Sequence, residues 1–162
     1  MKKIIQSSFY FAWALFISTQ MNAQQIAPTD PCYSTARIAT IDSLKNYFIS
    51  QQYTFVQGQT FPMESKYEKP IMMPLQAGIA YAFCFIGEPD AKLNELRVYD
   101  WQEKQIFYKK LLWGEVDGNV ISFPIIPEGS QYYMIKPLQI HKSKKALCGT
   151  LLMFKLPGKI VR

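Results

Sequence analysis

Histidine occurs once in the 162 residues, at His141, and cysteine only three times, at Cys32, Cys84 and Cys148. There is no CxxC pair and no Cys/His cluster, so the ligand spacing of a structural zinc site is missing. Nucleophilic catalysis needs a nucleophile, a base and an orienting group. The single histidine sits in the run HKSKK, which reads as a solvated turn, and Cys84 and Cys148 lie inside apolar runs where cysteine is ordinary packing. No paired-carboxylate signature for glycoside hydrolysis stands out. The basic residues are dispersed, unlike the concentrated stripe of a nucleic-acid binder, although the formal net charge is +6. No internal repeat, linker or low-complexity segment interrupts the chain. These absences predict no catalytic, cofactor or metal residues, no cofactor and no nucleic-acid partner.

The N-terminus carries a targeting signal. Lys2 and Lys3 form a basic start, and Phe9–Ile17, FYFAWALFI, is an unbroken apolar core. Met21-Asn22-Ala23 offers a small residue at the cut. This is the layout of a secretory signal peptide. Its core falls well short of the ~20 residues that span a bilayer, so no membrane span is expected in the mature chain. No small or apolar lipoprotein motif precedes Cys32, and the Asn-Ala-Gln-Gln junction resembles exported proteins of Bacteroidetes-type Gram-negative bacteria. The expected location is the periplasm, the cell surface or the medium. Cleavage after Ala23 removes two lysines and no acid, so the charge of +6 falls by two to +4. The reading divides the chain into a signal peptide at 1–23, a polar lead-in at 24–34, one domain at 35–156 and a tail at 157–162.

Export makes a disulfide chemically accessible. Three cysteines allow at most one bridge within the chain and leave one thiol over. Cys84 with Cys148 is the favoured pair, because an early central strand and the last strand of a sandwich often become neighbours. Cys32, just before a helix, could instead bridge to either and tie the helix to the sheet.

The domain is mainly β. Ile38, Ile41, Leu44 and Phe48 recur at helical spacing after a capping Ser34 or Thr35, which predicts one amphipathic helix over Thr35–Gln52. Arg37, Asp42, Lys45 and Asn46 fall mostly on its other side. Beyond it the period changes to that of strands: Tyr53–Val56, Thr60–Met63, Ile71–Leu75, Ile79–Ile86, Leu93–Tyr99, Gln105–Trp113, Val120–Ile126, Tyr132–Ile140 and Ala146–Lys155. Gly58, Gly87–Ala91, Asp100–Lys104, Asp117-Gly118-Asn119 and Pro127–Ser130 supply the turns. Short strands at this spacing predict an antiparallel β-sandwich, jelly-roll-like, with the N-terminal helix packed on it. Ile79–Ile86 is apolar on both faces, so it should be central, and the helix should cover its small-residue face at Ala80, Ala82 and Cys84.

Leu75–Phe83, LQAGIAYAF, resembles the aG-x-Y-x-F strand of bacterial pre-peptidase C-terminal-type β-sandwich modules. Leu96–Asp100 resembles their aspartate-ended central strand, and Phe123–Tyr132 their P-x-(s)G-x-Y step. The likeness spans about Ile71–Lys155. This chain departs from that pattern by its added helix and by the lack of a peptidase. The resemblance implies a jelly-roll-like, non-catalytic module for binding or for export and stability of partners.

Three constellations remain. Glu88, Asp90 and Glu95 gather around one turn, but calcium needs roughly six to eight oxygens, and a solvated loop is the simpler reading. Lys142, Lys144 and Lys145 either meet an anionic polymer or protect a strand edge from pairing. Trp101 and Trp113 bracket a hairpin with Tyr108 between them. Two neighbouring strands that both carry aromatics at both parities leave some outward, so part of Tyr99, Trp101, Tyr108 and Trp113 should be exposed together as a contact surface. The function expected is an exported non-catalytic binding or accessory module whose partner is an envelope protein or glycan. A structural subunit of an envelope complex is the alternative, and a small hydrolase ranks last.

Overall fold

The computed structural model describes residues 32–114 and 118–157. The segment read as a signal peptide, most of the lead-in, Asp117 of one turn and the end of the tail lie outside the described residues.

Among the described residues, one helix is followed by eight strands: α1 Thr35–Ser50, β1 Thr54–Glu64, β2 Ile71–Leu75, β3 Tyr81–Ile86, β4 Leu93–Tyr99, β5 Gln105–Leu112, β6 Val120–Ile125, β7 Gln131–Ile140 and β8 Ala146–Lys155. The strands form two four-stranded antiparallel sheets, ordered β1-β8-β3-β6 (sheet A) and β2-β7-β4-β5 (sheet B). The pairs β1·β8, β2·β7, β3·β6 and β4·β5 are one long hairpin rolled on itself, with its tip at the β4–β5 turn. That is jelly-roll connectivity. The expected sandwich with one N-terminal helix is therefore the observed fold.

Alternation along the strands builds the core. Phe83, Phe85, Ile121, Phe123 and Leu151 of sheet A meet Leu96, Val98, Tyr133 and Ile135 of sheet B. The Phe123 ring stacks between Phe83 and Phe107, with centroids 5.0 and 4.7 Å apart. β3 is buried along its whole length. Its second face, Ala82, Cys84 and Ile86, joins Leu152 and Phe154 under Ile41, Leu44 and Phe48 of α1. Small residues on β3 leave room for the helix, and Phe48 stacks on Phe154 at 4.5 Å.

Three sequence expectations change. The helix stops at Ser50 because Gln52 adopts a positive φ of 66°. Tyr53 N–H then bonds Phe48 O, and Gln52 N–H bonds Ile49 O, the Schellman ending. Ile38 is 45% exposed, and Arg37 takes its place in the buried line with Ile41, Leu44 and Phe48. Thr54–Glu64 is one strand rather than two, with a bulge at Val56. Gly58 does not break it: a Cβ there would stand 2.8 Å from Leu152 Cδ2 and 3.3 Å from the Phe55 ring, so the glycine leaves room for those two side chains.

The disulfide joins Cys32 to Cys148, the alternative in which Cys32 ties the helix to the sheet, and not the favoured Cys84 to Cys148. β3 and β8 are indeed neighbours, but their register sets Cys84 opposite Leu152. That is four residues along β8 from Cys148, or roughly 13 Å at the strand rise, far outside bridging range. Cys84 is a buried free thiol. Burial pushes its pKa up to about 11, against a smaller lowering by its bond to Ser122 Oγ. The native protein should therefore show no thiol reactive toward a maleimide at pH 8. Denaturation should release one, and denaturation with reduction three. A reactive thiol in the native state, or three without reductant, would refute this pairing.

Candidate contact surface

Sheet A has its outer face under α1, and among the described residues no helix lies over the corresponding face of sheet B. Register defines that face: Leu93, Glu95, Arg97 and Tyr99 of β4 lie opposite Leu112, Lys110 and Tyr108 of β5 on one side. On the other side they face Ile140, Leu138, Lys136 and Met134 of β7, and Met72 of β2 lies beyond Met134. Met72, Ile106, Tyr108, Leu112 and Tyr132 are all exposed.

The middle of this face is charged and closed on itself. Arg97 reaches Glu95 Oε1 at 2.6 Å and Glu68 Oε1 at 3.0 Å, and Lys136 lies 3.7 Å from the other Glu68 oxygen. Burial works against the Arg97 charge, and Glu95 and Glu68 more than offset it, so its pKa is raised. Arg97 also lies over the Tyr108 ring and Lys136 over the Tyr99 ring, at 5.8 and 4.9 Å from the centroids. Such cation–π contacts contribute about 0.5–1 kcal/mol each at exposed sites. Tyr99 donates its hydroxyl to Gln105 Oε1.

The structure splits the four aromatics expected to act together. Tyr99 and Tyr108 share the outer face of sheet B. Trp101 lies in the β4–β5 turn and Trp113 just past the far end of β5, so they sit at opposite ends of the hairpin. Both are well exposed, at 63% and 72%. Trp113 lines a hollow of about 310 Å³ with Pro89, Asn94 and Asn119. Strand parity alone does not place β2 and β7 in the sheet that α1 leaves open, so it gave no sign of Met72, Tyr132 and Met134.

The three clustered carboxylates diverge. Glu88 turns to Arg37 and to the Cys148 N–H, Glu95 to Arg97 on the opposite sheet, and Asp90 to Lys144. Lys144 holds the Asp90 carboxyl below the usual carboxylate range, against a smaller raising by burial and with a further contribution from His141. His141 Nδ1 accepts the backbone N–H groups of Ser143 and Lys144, which leaves its proton on Nε2, 3.3 Å from Asp90. With Lys142, Lys144 and Lys145 it lines an open hollow of about 470 Å³. Among the described residues, no three His, Cys, Asp or Glu side chains are placed to hold a metal ion. No described helix is long and apolar enough to cross a membrane.

No family model matches the sequence, and no curated protein matches it. Among solved structures, a chain of the Glycosylation Associate Protein (Gap123) complex from Streptococcus agalactiae is similar, with 11% identity, over 68% of this chain and 43% of that one. The TM-score is 0.35, too low to carry an argument.

Proposed function

We propose that this chain is an exported, non-catalytic binding module that docks a protein partner on the outer face of sheet B. The observation that carries the reading is that face itself. One flank of the sandwich is sealed by α1, and the other presents Met72, Tyr108, Leu112 and Tyr132 to solvent around a neutralised Arg97 centre. Aromatic residues, methionine and arginine are the types enriched where proteins meet. The charge cluster is already paired, so covering it leaves no uncompensated ion. The signal-like N-terminus and the Cys32–Cys148 bridge support export to an oxidising compartment. The resemblance to pre-peptidase C-terminal-type modules supports a non-catalytic role.

The test uses the tagged full chain recovered from its native envelope, then reconstitution with the purified partner. Met72→Ser/Tyr132→Ser should leave the urea midpoint nearly unchanged, since both residues are exposed, and should weaken the partner at least about tenfold. A partner that binds this variant as tightly as the wild type overturns the reading. Loss on Trp101→Ala/Trp113→Ala alone would move the contact to the hairpin ends.

A further inference from the structure

The hollow beside Trp113 lies at one end of the sandwich, where the β3–β4 turn, the end of β5 and the start of β6 meet. Its volume of about 310 Å³ is at the small end of ligand sites. Trp113 and Leu112 border it, 72% and 47% exposed, and Pro89 adds a third apolar wall. None of its described lining residues is charged.

Its polar groups are two amides pinned by consecutive carbonyls of the β3–β4 turn. Asn119 Nδ2 donates to Gly87 O at 2.6 Å, and Asn94 Nδ2 donates to Glu88 O at 3.2 Å. These bonds fix which end of each amide is the oxygen. Half-buried Asn119 keeps its Oδ1 as an acceptor for a ligand. Asn94 is 2% exposed, and its Oδ1 has no hydrogen-bond partner, so the floor is polar and disfavours a purely apolar ligand. Backbone donors around the hollow are already engaged: Gly87 N–H by Asn119 O, Ala91 N–H by Glu88 O and Trp113 N–H by Lys92 O. An extended peptide seeking main-chain donors, or an anion seeking a nest of N–H groups, finds these three taken.

What is left suits a ring with one apolar face and a rim of hydroxyls. We infer that this hollow binds one pyranose unit of a neutral glycan, its C–H face on the Trp113 ring and a hydroxyl donated to Asn119 Oδ1. An indole offers a large apolar surface, and hydroxyls both donate to amide oxygens and accept amide N–H groups. A second hollow of about 220 Å³ adjoins the first, because Pro89 and Asn119 line both. It adds Ser34 and Thr40 from the start of α1, and its charged pair, Arg37 and Glu88, is closed on itself. The ligand is therefore a chain of sugars, whose next unit continues into this space. The inference does not rest on the outer-face reading, since Trp113 and Asn119 lie at the sandwich end.

The test titrates the isotope-labelled full chain with maltotriose, cellotriose, xylotriose and triacetylchitotriose, and with trigalacturonate as the charged counterpart. At least one neutral trisaccharide should saturably shift the Trp113 indole N–H, assigned through Trp113→Phe, and leave that of Trp101 in place. Trp113→Ala should keep the urea midpoint, as surface changes do, and weaken that sugar at least about tenfold. Trp113→Tyr, which retains a stacking ring, should weaken it by less than about threefold. Asn119→Ala should weaken it at least about fivefold. The matching monosaccharide should bind more weakly than the trisaccharide. No shift of Trp113 with any of the four neutral sugars overturns the inference, as does binding that survives Trp113→Ala. Tighter binding of trigalacturonate than of every neutral sugar overturns it in favour of recognition by charge. The two readings fail separately: Met72→Ser/Tyr132→Ser should bind the trisaccharide as tightly as the wild type, whatever becomes of the protein partner.

Discussion

Replacing Arg37 by methionine is expected to cost about 3–5 kcal/mol of stability, read from urea unfolding midpoints. The side chain enters between α1 and sheet A with 6% of its surface exposed. Its guanidinium donates to Ile86 O, Thr150 Oγ1, Glu88 Oε1 and Cys148 O at 3.1–3.4 Å. Methionine fills much of the same volume but donates nothing. Cys148 O keeps Gln139 and Glu88 keeps the Cys148 N–H, but Ile86 O loses its side-chain donor and the largely buried Glu88 charge loses its counter-ion, which is the costly part. The contrast variant is Arg37→Met/Glu88→Gln. Glutamine still accepts the Cys148 N–H that Glu88 accepts at 3.0 Å, and it brings no charge. The double variant should regain at least about 1 kcal/mol over Arg37→Met alone, since a hydrogen bond left to a neutral group costs less than one to an ion. A loss within 0.5 kcal/mol for Arg37→Met, the range of surface sites, would mean that water replaces the guanidinium.

Arg37 also shows where sequence reading stops. Strand periods, turn residues and the helix were legible because each is local: alternation of two, spacing of three to four, and Gly, Pro, Asn or Asp between. The β4 span and the β8 span match the structure at both ends. An arginine in the first helical turn reads as solvated, because nothing local reveals that Ile86 O, Cys148 O and Glu88 wait beneath it. The same limit left the cysteine pairing open and turned the favoured pair the wrong way. That β3 and β8 are neighbours follows from the sandwich, but the offset of four residues between Cys84 and Cys148 is a matter of register. Gln139 and Asn94 were invisible for the same reason. They lie opposite each other on sheet B, and their amides reach across the core to Cys148 O, Glu88 N and Glu88 O. Of the aromatics of the β4–β5 hairpin, Trp101, Tyr108 and Trp113 are exposed and Tyr99 is half-buried. Their separation into two tyrosines on a face and two tryptophans at the ends needed the strand lengths.

Removing the Cys32–Cys148 bridge, as Cys32→Ser/Cys148→Ser, is expected to lower stability by about 2–5 kcal/mol. The bonded cysteines are 116 residues apart, so the bridge closes a loop that takes in nearly all of the described fold. Loops of that size lie at the top of the chain-entropy scale, at about 4.7 kcal/mol for 100 residues. Native strain should not offset it here, because Cys148 is positioned independently of its sulfur. Its N–H is held by Glu88, and its carbonyl by Arg37 and Gln139. Cys32 precedes the Ser34 cap at the start of α1, and Arg37 of the same helix end reaches through to sheet A. The bridge and Arg37 thus fasten the same helix end. Combining Arg37→Met with the serine pair should therefore cost more than the two losses added, by at least about 0.5 kcal/mol, as coupled neighbours do. Protease cleavage should then begin in α1, while the Cys84 thiol, deeper under Leu44 and Phe48, is exposed only as the helix leaves. Strict additivity would show two independent fastenings. A serine pair as stable as the wild type would show that the bridge constrains nothing in the unfolded chain.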